Sequence, residues 1–133
     1  MKTATTHQLR QHARHSTDDS ADPRVAALER RLQQTEVGRD VLRLLDRLAE
    51  SRIVEQLIAI GLGSAERSES TIRDRLRRAD ARQTAESIGE AEALRVELFE
   101  AERESRRWRG ALLRGRRDRE LIEAELQLAA RAL

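Results

Sequence analysis

The stretch Leu94 to Leu133, LRVELFEAERESRRWRGALLRGRRDRELIEAELQLAARAL, decides the fold. Its seam residues recur at alternating steps of four and three: Leu94, Leu98, Ala101, Ser105, Trp108, Leu112, Gly115, Arg119, Ile122, Leu126, Ala129 and Leu133. Residues so spaced share one face of a helix, and such a stripe is the signature of a helix packed along another helix. The register crosses an arginine run unbroken, although Ser105, Gly115 and Arg119 are poor seam residues.

Working towards the N-terminus, the pattern weakens to Ile72, Leu76, Ala79, Ile88 and Ala91 and then becomes dense. Val41, Leu42, Leu44, Leu45, Leu48, Ile53, Val54, Leu57, Ile58, Ile60 and Leu62 crowd one segment, preceded by Val25, Leu28, Leu32 and Thr35 at similar spacing. Asp22-Pro23 is a strong helix start, since Asp caps free backbone N–H groups and Pro loses nothing at the first helical position. Gly38 is a tolerable flaw of about 1 kcal/mol against Ala. Gly61 and Gly63 read as a stop, Ser64 to Ser70 as a turn, and Thr71 with Asp74 as a capping box opening the next helix.

The expected fold is all-α: an elongated helical hairpin or coiled coil with a disordered N-terminal tail and a C-terminal helical extension or third helix. Its first helix covers about 23–60, the turn 61–70 and the second helix about 71–109, with 111–132 continuing it or bending away. A helix over Pro23–Ile60 is about 57 Å long, so a folded-back partner reaches its far end near Arg109, beside Gly110. Residues 1–21 are polar and aperiodic, as a disordered tail would be.

In that hairpin, Ile53 to Leu62, apolar nearly all round, would face Arg73, Arg75, Arg77, Arg78 and Arg82. Such a surface needs further neighbours. A second copy or another helical protein is therefore expected on Ile53, Val54, Leu57, Ile58 and Leu62, with Leu94, Leu98, Trp108, Leu112, Ile122 and Leu126 completing the association seam.

Composition agrees. Ala, Glu, Lys, Leu and Arg make 79 of 133 residues, a bias typical of long helices, while Leu, Ile, Val and Phe make only 30, too few for a thick globular core. Small cores are commonly completed by oligomerisation. The absence of Cys excludes disulfides and thiolate chemistry. No apolar run approaches the roughly 20 residues of a membrane span, no secretory signal is visible, and a cytoplasmic location is expected.

Residues Arg103 to Arg119 hold eight Arg against one Glu and one Asp, on a chain whose net charge is +2. Arg106, Arg107, Arg109, Arg114, Arg116 and Arg117 are candidates for phosphate contacts, with Trp108 available for stacking. The alternative is charge-matched packing against the acidic stretch Glu86 to Glu104, across a bend or in a neighbouring subunit. His7, His12 and His15 lie in the tail without any rigid scaffold, so no metal site is expected. Gly61-Leu62-Gly63 begins a Gly-rich phosphate loop only superficially, because Glu66 stands where a third Gly belongs. Carboxylates are interleaved with Arg at helical spacing (Glu69 with Arg73, Asp74 with Arg78, Glu102 with Arg106), which suits a salt-bridged surface. With no Cys, no Tyr and no His outside the tail, neither catalytic residues nor a cofactor are expected.

The expected function is a non-enzymatic, self-associating coiled-coil scaffold or adaptor. The runner-up is a coiled-coil nucleic-acid-binding or regulatory protein using the arginine run, and the third reading is an assembly or secretion chaperone.

Overall fold

The computed structural model describes residues 22–133, which form three α-helices and, among them, no strand. The tail expected over residues 1–21, with its three histidines, lies outside the described residues. Helix α1 is Pro23–Leu32, α2 is Glu36–Arg82 and α3 is Ala85–Arg131. The fold is a helical hairpin in topology, with α2 and α3 joined at Gln83 and Thr84.

Each boundary has a local cause. The Asp22 carboxylate accepts a hydrogen bond from the Arg24 N–H at 2.9 Å, and Pro23 follows it as the first helical residue. Between α1 and α2 the Thr35 hydroxyl accepts from the Gly38 N–H at 2.9 Å, capping α2. At the hairpin corner Gln83 adopts a left-handed φ of 52°. Thr84 and Ser87 then cap α3 reciprocally: the Thr84 N–H donates to the Ser87 hydroxyl at 2.8 Å, and the Ser87 N–H to the Thr84 hydroxyl at 3.1 Å.

The chain divides into two compact units. In the first, residues 22–55 with 115–133, Leu44 and Leu48 of α2 and Ile122 of α3 form a buried cluster, with Leu126 and Ala129 packed against it. Ion pairs Arg47–Glu125 (3.7 Å) and Arg52–Glu123 (3.9 Å) run in opposite directions along the two helices, which are therefore antiparallel here. In this unit α1 contributes no buried residue, and its Val25 and Leu28 are exposed.

The second unit, residues 56–114, is also an antiparallel pair. Its buried cluster is Ala79, Ala91 and Leu94, flanked by Ile72 and Leu76. Arg109–Glu66 (3.5 Å), Arg73–Glu102 (3.3 Å), Arg95–Asp80 (3.0 Å) and Arg82–Glu90 (3.7 Å) flank the seam. Full burial of a Leu or Ile contributes about 1.5–3 kcal/mol, a large share of a typical net stability, so each of the few buried side chains matters to its helix pair.

Three expectations are corrected. The turn expected over 61–70 is helix, and the second helix starts at Ala85 rather than near Thr71. Isolated Gly costs only about 1 kcal/mol in a helix, and the seam runs on past Gly61 and Gly63 through Ala65, Glu69, Ile72, Leu76 and Ala79, all at least partly buried. The first helix, expected over 23–60, breaks at residues 33–35, where Thr35 caps a new start. Of the two alternatives left open for residues 111–132, the structure takes the continuation, with α3 running through Gly110 and Gly115. It follows that Ile53–Leu62 does not lie against Arg73–Arg82: both belong to α2.

Candidate interaction surfaces

The seam of α3 takes the register read from the sequence. Leu94, Ser105 and Ile122 are buried, and Leu98, Ala101, Trp108, Leu112, Gly115, Arg119, Leu126 and Ala129 are partly buried; Leu133 is exposed. The positions expected to associate between copies are thus covered to this extent inside the chain. Ile53, Ile58 and Leu62 are also partly buried, whereas Val54 and Leu57 are exposed.

Polar residues interrupt the seam in both units. In the first, Glu55 accepts a 2.7 Å hydrogen bond from Arg119 Nε and lies 3.5 Å from Arg116, while Arg119 also donates to Glu123 at 3.0 Å. The bond from Arg119 holds the Glu55 carboxyl below the usual carboxylate range; partial burial opposes this, and the positive charges of Arg119 and Arg116 reinforce it. In the second unit the buried Glu69 carboxylate pairs with Arg73, the partner its spacing implied. Glu102 pairs with Arg73 across the seam rather than with Arg106, and Asp74 pairs with Arg77 rather than Arg78. Ser105 is 0% exposed, and its hydroxyl oxygen has no hydrogen-bond partner.

Trp108 lies against Gly61, so the glycine read as a helix stop is a site of close helix approach. Beside them is an open groove of about 280 Å³, lined also by Ser64, Ala65, Ser68, Ala101 and Glu104. A second open depression, about 470 Å³, lies among Arg106, Arg107, Trp108, Gly110, Ala111 and Arg114.

The arginine run divides by partner. Arg107 pairs with Glu104, Arg109 with Glu66, and Arg116 and Arg119 with Glu55. Arg103, Arg106, Arg114 and Arg117 are exposed and make no ion pair among the described residues. Of the six candidates for phosphate contact, three therefore already sit on carboxylates.

Large apolar side chains remain uncovered. In the second unit Leu57 is 50% exposed and Ile60 67% on α2, and Val96 62% and Phe99 60% on α3. Among the described residues no cluster of His, Cys, Asp or Glu is arranged to hold a metal ion, and no helix is long and apolar enough to cross a membrane. The sequence pointed to Ile53–Leu62 as sticky; that Phe99 and Val96 face away from the seam was signalled only by their positions about half a turn from Leu94 and Leu98. Comparison with protein-family models, curated proteins and solved structures returns no match.

Proposed function

We propose that this protein is a non-enzymatic helical scaffold or adaptor that self-associates and so organises an assembly or a partner, with a cytoplasmic location. The observation that carries the reading is the uncovered apolar material on both helices of the second unit, Leu57 and Ile60 on one and Val96 and Phe99 on the other. A helix pair buries one stripe from each member, and apolar side chains outside that stripe need another helix. Light scattering on a size-exclusion column tests it: wild-type protein runs as a discrete oligomer, and Leu57→Asp with Ile60→Asp lowers its mass without loss of helix. Both side chains are exposed, so the substitution spares the intramolecular seam. An unchanged mass would move the interface elsewhere, and a wild-type monomer would end the reading.

Phosphate binding is the second reading, supported by the unpaired Arg103, Arg106, Arg114 and Arg117. Each phosphate contact adds about −0.9 to the slope of log affinity against log salt on duplex DNA, so a salt-independent or absent gel shift would dismiss it. An assembly or secretion chaperone, the third reading, would hold a partner's helix on the same apolar side chains.

A further inference from the structure

In the second unit α3 carries a second stripe on the side away from α2. The inner stripe is Ala91, Leu94, Leu98, Ala101, Ser105, Trp108 and Leu112; half a helical turn from it run Glu92, Val96, Phe99, Arg103, Arg106, Gly110 and, at the end, Leu113 with Arg114. All of the outer residues except the partly buried Gly110 are exposed. Their spacing is the same alternation of four and three that marks the inner seam.

The charges on this stripe are ordered. Glu90, Glu102, Glu104, Arg95, Arg107 and Arg109 are taken up in ion pairs within the chain. Among the described residues, the groups left without an ion pair on or beside the outer stripe are Glu92 and Glu100 on its N-terminal half and Arg103, Arg106 and Arg114 on its C-terminal half. One half is therefore acidic and the other basic.

We infer that this outer face of α3 pairs antiparallel with the same face of a second copy, about a two-fold axis near Arg103. The inference rests on the scaffold reading above and gives it one interface, separate from the contact that would cover Leu57 and Ile60 on α2. A two-fold contact must be self-complementary, each residue meeting the one that meets it in return. Antiparallel pairing about Arg103 meets that condition: Glu92 of one copy faces Arg114 of the other, Glu100 faces Arg106, and Phe99 faces Arg107, whose guanidinium suits an aromatic face. Val96 falls opposite Gly110, at the open depression that Gly110 lines with Ala111 and Arg114. The two Arg103 residues at the axis are each one helical turn from the other copy's Glu100. Parallel in-register pairing would instead set every one of these charges on its own kind, Glu92 and Glu100 as well as the arginines. A polyphosphate fits the face less well, because it would meet Glu92 and Glu100 as well as the arginines.

The test uses two full-length variants, Glu92→Arg with Glu100→Arg, and Arg106→Glu with Arg114→Glu. Their masses are measured by light scattering alone and mixed in equal amounts, with helix content followed by circular dichroism. Each variant alone is expected at half the wild-type mass, since the facing pairs 92/114 and 100/106 then carry like charges, and the mixture is expected to recover the wild-type mass because those pairs are again of opposite sign. Variants that keep the wild-type mass, or a mixture that does not recover it, overturn the inference while leaving the scaffold reading standing on other surfaces. A wild-type monomer removes both.

Discussion

The Trp108 indole occupies the space that a side chain at residue 61 would need: a Cβ built on Gly61 would lie 2.6 Å from Cη2 and 2.7 Å from Cζ3. Gly61 is thus the floor on which the one tryptophan rests, and the mid-helix penalty of a glycine is the condition for that contact.

Replacing Gly61 by Ala in an ordinary helix interior would gain about 1 kcal/mol. Here the gain reverses, because the indole must be displaced and overpacking typically costs about 1–3 kcal/mol. In a Trp108→Leu background the same replacement recovers its ordinary stabilising sign. Thermal melts of the four proteins in this double-mutant cycle check it; Gly61→Ala stabilising both backgrounds equally would show that the indole yields freely.

The hydrogen bond from Arg119 lowers the Glu55 carboxyl below its unfolded value. Its contribution to stability is therefore complete above the ordinary carboxylate range and is lost as pH falls through the lowered folded value. The melting-temperature gap between wild type and Glu55→Gln should be widest near neutrality and close below about pH 4, the ordinary carboxylate value. A gap that stays constant down to strong acid would mean that the charge on Glu55 contributes nothing.

Ser105 is enclosed with an unpartnered hydroxyl. Leaving a buried polar group unsatisfied costs about 1–3 kcal/mol, and Ala is the better helix former. Ser105→Ala is expected to raise the melting temperature. A lowered one would reveal a bond to the hydroxyl.

Gly38 lies directly against the Leu32 carbonyl, so any side chain there collides with backbone. Gly38→Ala should destabilise, and Thr35→Ala, which removes the cap of α2, should cost about 0.5–2 kcal/mol. Hydrogen exchange is expected to show the loss at the α1–α2 junction, with amides around Leu94 unaffected. A loss spread through both units would refute a local role.

Much of the helix packing was legible in the sequence. The alternation from Leu94 to Ala129 matches the buried side of α3 because periodicity depends only on helix geometry, and an arginine at position 119 or a glycine at 115 does not shift it. The corner was not legible. Gly61 and Gly63 are strong punctuation on paper, yet the helix passes through them, while the true corner at Gln83 and Thr84 contains neither Gly nor Pro. Its cue was Thr84 with Ser87 three residues on, a capping pair in which Ser replaces the more familiar Glu. The division of the arginine run was hidden as well, because pairing with Glu55 and Glu66 depends on which residues the corner brings opposite one another.

That corner also governs how the chain can change length. In the second unit both arms are counted from Gln83 and Thr84, and the count alone selects the residue beneath the indole. A heptad inserted into α2 between Ser68 and the corner would keep the stripe on its proper face but slide Ser68 under Trp108, where a Cβ has no room. Seven more residues in α3, between the corner and Trp108, would put Gly61 back. Lineages that lengthen this hairpin are expected to do so in both arms at once, by insertions matched across the corner.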